Sequence, residues 1–164
     1  MIRKLFHTND DPMLMLLRLA LGAVFFAHGA QKVLGWFGGA GYAATMAFFT
    51  QRIGIPAVFA VLAILAEFLG GIGLIVGFLT RIAGFGIAVD MMVAAVMVHS
   101  RNGFFMNWSG NQRGEGFEFH ILAIAMALFM LVHGAGALSI DRAISLAMRH
   151  RPASRAPHPQ PMQR

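Results

Sequence analysis

The sequence predicts an all-α, membrane-embedded four-helix bundle with up-down topology. Three observations carry this. The 164-residue chain is 57% hydrophobic and only 12% charged, with mean hydropathy +0.66, whereas a soluble domain carries about 25% charged residues. The apolar residues fall into four stretches, about 13–34, 56–79, 82–98 and 119–137, each near the roughly 20 residues that span a bilayer. Four spans put most of the Lys and Arg on one side, as the positive-inside rule requires of a cytoplasmic face.

The elements follow in order. Residues 1–12 form an N-terminal cytoplasmic segment. The first apolar stretch is longer than the core of a cleaved signal peptide, and Asp10 and Asp11 stand where such a peptide carries positive charge. Residues 35–55 begin with a turn at Gly38, Gly39 and Gly41. Tyr42, Met46 and Phe49 then follow at helical spacing, which predicts a short amphipathic helix on the membrane surface. Thr80-Arg81 reads as a tight hairpin between spans two and three. Residues 100–116 are rich in Gly and polar groups, with Phe104, Phe105 and Trp108 placed to anchor in the interface. After Asp141 a surface helix is expected. Residues 142–164 form a basic cytoplasmic tail, largely disordered, Pro- and Arg-rich from Arg151. Ala20, Ala23, Ala27 and Ala30 on the first span, and Ala66, Gly70, Gly73 and Gly77 on the second, make small-residue stripes suited to close helix contact.

Counting basic residues sets the orientation. Arg3, Lys4, Arg18, Arg81, Arg142, Arg149, Arg151, Arg155 and Arg164 fall on one side, and Lys32, Arg52, Arg101 and Arg113 on the other. Nine against four places both ends in the cytoplasm of a cell (inner) membrane. The net charge of +6 is then directed at lipid headgroups. No basic helix face carries interleaved aromatics, so nucleic acid is not an expected partner. The chain has no cysteine, which excludes disulfides, thiolate metal sites and thiol redox relays. Redox chemistry would need a cofactor or a partner subunit.

Charge within a bilayer costs about 2.5–3.5 kcal/mol on insertion scales, so polar residues inside the spans need a reason. Glu67 lies near the middle of span two on the face of Ala63, Gly70 and Leu74. It is the candidate catalytic group, a proton relay. His28, Gln31 and Lys32 share one face of span one. With His99, Glu118 and His120 they occupy one outer layer above Glu67, a set suited to a quinone headgroup, whose carbonyls accept hydrogen bonds and whose reduction consumes protons. Arg18, Arg81 and Asp90 are expected as structural buried polar groups, with Asp90 paired to an arginine or a backbone amide. Asp90 and His99 are nine residues apart, about half a turn out of phase, and are not expected to line one pocket. No compact metal or haem motif such as HExxH or CxxCH is present, so no metal site is expected and haem is disfavoured.

Arg18-Leu19-Ala20-Leu21-Gly22, Phe26, His28-Gly29, Gln31-Lys32 and Gly35-Trp36-Phe37-Gly38-Gly39 resemble the opening of the DoxX family. Glu67 with Gly70-Gly71, then Gly77 and Thr80-Arg81, is similar to its second block. His99, Gly103-Phe104-Phe105, Gly116-Phe117-Glu118-Phe119 and the closing segment from Gly134 to Asp141 are similar to the rest. The resemblance implies a four-helix membrane protein. It also implies kinship with the membrane subunit of thiosulfate:quinone oxidoreductase and with oxidoreductase complexes linked to oxidative stress. His28, Gln31, Lys32, Glu67, Arg81, His99 and Glu118 are the matching polar positions. Asp90 and His120 are not matched.

The leading expectation is a quinone-interacting subunit of a membrane oxidoreductase system, with a partner subunit or a second copy of the chain. Two other readings stand beside it: a non-enzymatic membrane scaffold or small-molecule carrier, and a haem-binding electron carrier.

Overall fold

The computed structural model describes residues 2–149. Most of the expected tail, with Arg151, Arg155 and Arg164, lies outside the described residues. The described chain is helical, without strands. Its elements are α1 (Ile2–Leu5), α2 (Pro12–Leu34), α3 (Gly41–Ala47), α4 (Ala57–Val76), α5 (Thr80–Ala94), α6 (Glu118–His133) and α7 (Ile140–Arg149). Three helical stretches are long and apolar enough to cross a membrane: Pro12–Leu34, Ala57–Val76 and Thr80–Asn102. The fourth apolar helix, α6, is shorter at 16 residues.

Local chemistry sets the boundaries. Asp11 caps α2 by accepting from Met13 N–H at 2.8 Å, and Pro12 occupies the first turn, where its missing N–H costs nothing. Gly77, at φ 68°, ends α4 three residues before the end of its apolar stretch. Thr80 and Arg81 are not a free hairpin. They form the first turn of α5, because the Asp141 carboxylate accepts from Leu79 N–H at 2.8 Å and Thr80 N–H at 2.9 Å. A cap supplied from 61 residues away in sequence leaves no local signature. Beyond Ala94 the helix widens through Ala95–His99 and tightens through Ser100–Asn102, so the third span is longer than its apolar stretch. α6 stops at His133, short of the expected residue 137, because Gly134 takes φ 84°, ψ −158°, a conformation essentially restricted to glycine.

α2 packs on α4, α4 on α5 and α5 on α6, while α6 touches α2 sparsely. Leu21, Phe25, Leu74, Ile87, Met91, Ala127 and Met130 fill the centre. The alanine stripe of α2 is only partly a contact face: Ala20 and Ala23 are exposed, Ala27 is half-buried and Ala30 is buried. The close approach is made by glycines: Gly29 lies against the Phe68 backbone and Gly71 against that of Phe26. A methyl group at either would collide with main chain, and even alanine holds helices further apart than this. Outward from the core the polarity is inverted relative to a soluble protein. Ile82, Phe85, Val89 and Val93 of α5, and Val96 in the wide turn that continues it, are all exposed, as a lipid-facing stripe must be.

Candidate functional site

The buried polar groups form two layers at opposite ends of the long helices. One lies at the α7 end, beside the α4–α5 turn. The other lies at the loop end, beneath residues 103–117.

At the α7 end the Arg18 and Arg81 guanidinium groups reach main-chain carbonyls, with Arg81 Nε and Thr80 Oγ1 the buried atoms left without partners among the described residues. Arg18, 1% exposed, donates from Nε to Ala135 O at 3.0 Å, from Nη1 to Leu74 O and to Ile75 O, and from Nη2 to Leu138 O at 3.2 Å. Its guanidinium thus closes the C-terminal carbonyls of α4, where a cation also complements the helix dipole. Arg81 does the same for α6, donating to Leu131 O and Val132 O, and reaches His7 O at 3.0 Å. Asp141, 1% exposed, caps α5. Sequence reasoning missed Asp141, because its importance comes entirely from a contact with another helix.

At the loop end the arrangement differs. Lys32 Nζ forms an ion pair with Glu67 Oε2. The pair is possible because Gly29 seats α2 on Phe68, which places Lys32 one turn above Glu67. The Lys32 and Glu67 side chains are 23% and 8% exposed. Asp90 joins them from α5. Its carboxyl lies within electrostatic reach of both Glu67 and Lys32. Asp90 therefore faces Glu67 and not Arg18 or Arg81, which lie at the other end. Its Oδ2 is buried without a hydrogen-bond partner.

Three histidines adjoin this cluster. His28, one turn before Lys32, lies within electrostatic reach of both Lys32 and Glu67, and its ring faces Phe119 at 6.4 Å. The His99 and His120 rings sit 4.2 Å apart. His120 is 5% exposed, and its Nδ1 is buried without a partner. The wide turn at Ala95–His99 changes the helical phase of α5, so counting from Asp90 at 3.6 residues per turn does not give the direction of His99. Among the described residues, no group of three or more His, Asp or Glu side chains is arranged to hold a metal ion.

Gln31 and Glu118 are turned elsewhere. Gln31 Nε2 donates to Phe37 O at 3.2 Å, holding the turn after α2. Glu118 Oε1 accepts from Met106 N–H at 2.8 Å and from Trp108 Nε1 at 3.4 Å. With Glu115, which accepts from Asn107 N–H at 2.7 Å, it folds the 103–117 loop over the site.

Comparison with known proteins gives the family. The sequence profile of the DoxX family matches residues 13–100. The chain belongs to the DoxX family. It is 31% identical over 155 residues to "Uncharacterized membrane protein Rv3486" of Mycobacterium tuberculosis, covering 87% of each chain. It is 27% identical to "Inner membrane protein YqjF" of Escherichia coli, over 83% of this chain and 95% of that one. It is 29% identical to "Putative oxidoreductase CatD" of Bacillus subtilis, over 77% of this chain and 83% of that one. No solved structure matches significantly. The protein is thus a multi-pass membrane protein. His28, Lys32, Glu67, Asp90 and His99 lie within the span matched to the DoxX profile. Glu118 and His120 lie beyond it.

Proposed function

We propose that this DoxX protein is a quinone-interacting subunit of a membrane oxidoreductase system, with its chemistry at the Lys32–Glu67–Asp90 cluster. One observation carries the reading: two carboxyls and one ammonium share a buried layer in which Asp90 Oδ2 and His120 Nδ1 lack partners. Carboxyls crowded together in a low-dielectric layer favour retention of a proton, which such a cluster could pass on. A buried polar network left incomplete destabilises a fold, and the incomplete atoms here adjoin a charge cluster where a polar ligand could complete them.

Reduction of a quinone converts two carbonyls to hydroxyls and takes up two electrons and two protons. A partner subunit's reduced donor would supply the electrons. Glu67 and Asp90 would pass on one proton, with water from the loop side supplying the second and restoring the first. His28 and His120 would orient the headgroup where α2 and α6 are loosely packed. Gln31 and Glu118 would act indirectly, by shaping the covering loops. The oxidoreductase name of the Bacillus relative favours this class of activity over a scaffold or carrier.

The same proposal has all four apolar helices crossing an inner membrane in up-down order, with both chain ends cytoplasmic. The asymmetry of basic residues supports that orientation, and the name of the Escherichia relative supports that membrane. α6 would span about 24 Å, completed by the 103–117 loop above and the segment after Gly134 below.

The test is turnover in membrane vesicles that retain the partner subunits. Glu67→Gln and Asp90→Asn proteins should insert and fold yet lose quinone reduction by a factor of about 10²–10⁴, the usual worth of a positioned acid–base group. Unchanged turnover in both would remove the proton role. An oxidised-minus-reduced ultraviolet–visible spectrum of the purified protein then separates the classes. A quinone band lost on reduction supports the proposal, and a Soret band would make the histidines haem ligands. Solute flux into liposomes without any electron donor would favour a carrier.

A further inference from the structure

A second candidate site lies at the α7 end and owes nothing to the quinone reading. A groove of about 540 Å³ is lined by Ile2, Lys4 and Leu5 of α1, by Arg81, Ile82 and Phe85 of α5, and by Leu131 of α6. Its walls are almost entirely apolar, but two cations stand in it.

The groove is held in place. Phe6 stacks on Phe78 with ring centroids 6.5 Å apart. Arg81 Nη2 donates to His7 O, and Gly136 N–H donates to Thr8 Oγ1 at 2.7 Å. These three contacts fasten the segment after α1 to the α4–α5 turn and to the chain beyond α6.

Its charge is not balanced. All the hydrogen bonds of Arg81 go to main-chain carbonyls, which satisfy donors without cancelling charge. Lys4 is exposed. The described ion pairs are Lys32–Glu67 and Arg142–Asp10, so neither groove cation is neutralised by a carboxylate. The polar end also leads into lipid. Ile82 and Phe85 are 53% and 59% exposed, and they begin the stripe that continues along α5 through Val89 and beyond it to Val96. The groove thus presents positive charge at one end of an apolar track parallel to a membrane helix.

We propose that this groove binds one anionic phospholipid, its phosphate against Lys4 and Arg81 and an acyl chain along Ile82, Phe85 and Val89. A zwitterionic lipid would bring its own cation to two uncompensated ones, and a free anion would leave the apolar walls unfilled.

The test is tryptophan quenching by brominated lipids. In a Trp36→Phe, Trp108→Phe background, Phe85→Trp puts a single reporter in the groove, and Val96→Trp puts one at the far end of the same stripe. Each protein is reconstituted into vesicles containing brominated phosphatidylglycerol or brominated phosphatidylcholine at equal mole fraction. The expected result is a preference for the anionic lipid of about fivefold or more at position 85, from about 1 kcal/mol per basic residue near a charged lipid, and none at position 96. Lys4→Gln, at an exposed position that makes no packing demand, should cut the preference at position 85 severalfold. Equal quenching by the two lipids at position 85 would overturn the site. A preference of equal size at positions 85 and 96 would overturn it as well, since it would report bulk enrichment around a basic protein.

Discussion

The two polar layers use the same residue types to opposite ends. At the α7 end, Arg18 and Asp141 are each 1% exposed and fully engaged with backbone groups that secondary structure leaves open. At the loop end, Lys32, Glu67 and Asp90 are engaged mainly with one another, and Asp90 Oδ2 and His120 Nδ1 have no partner. Buried charge alone therefore does not mark a site. A buried charge that completes helix ends is architecture. A buried charge set engaged mainly with itself, and not with helix ends, is where a ligand or a proton can act.

The comparison can be broken most sharply at Arg18. Arg18→Ala leaves the carbonyls of Leu74, Ile75, Ala135 and Leu138 without donors. At about 1–3 kcal/mol per unsatisfied buried group, the loss should exceed about 3 kcal/mol and appear as a collapse of the melting temperature in detergent. Retention of wild-type stability would mean that this layer is not structural.

Next in size is Gly29→Leu, which forces a side chain into the Phe68 main chain. Overpacking of this kind costs about 1–3 kcal/mol. Since it also pushes α2 off α4, it should separate Lys32 from Glu67 and lower quinone reduction as well as stability. Reduced stability with intact turnover would show that the ion pair is dispensable.

Asp141→Ala removes the acceptor for Leu79 and Thr80 N–H. A lost cap costs about 0.5–2 kcal/mol. The damage should be local, with faster hydrogen exchange confined to the first turn of α5 and turnover unaffected.

The smallest effects on stability belong to the loop end. Replacing the ion pair by Lys32→Met with Glu67→Gln should change stability by less than about 1 kcal/mol, because such replacements in buried sites are often neutral or stabilising. His120→Phe removes a buried nitrogen that has no partner and should leave the melting temperature unchanged or raise it. Both variants should impair quinone reduction. A large loss of stability in either would move the loop-end cluster into the same class as Arg18.

Much of the fold was legible in the sequence because the signals are local. Apolar runs of bilayer length act through neighbouring residues and mark the spans, while Gly77, read as part of a packing stripe, proves to end α4. His28, Lys32 and Glu67 also stood out, since charge and imidazole within a span are visible in one dimension. What the sequence hid was partnership. The alanine stripe looked like the contact face of α2, yet only its Ala30 end is buried and Gly29 and Gly71 make the close approach, because a face is chosen by what the facing helix offers.

The sequence by itself thus determined a helical membrane protein, where its spans begin, and which side chains sit at a cost in lipid. Only the tertiary structure decided that Asp141 caps α5, that Gln31 and Glu118 hold loops, and that Asp90 joins Glu67 while Arg18 and Arg81 close helix ends. The physical reason is range. Hydrophobic period and capping act within a few residues of chain, whereas a buried carboxyl or guanidinium is defined by whichever helix packing brings within about 3 Å of it.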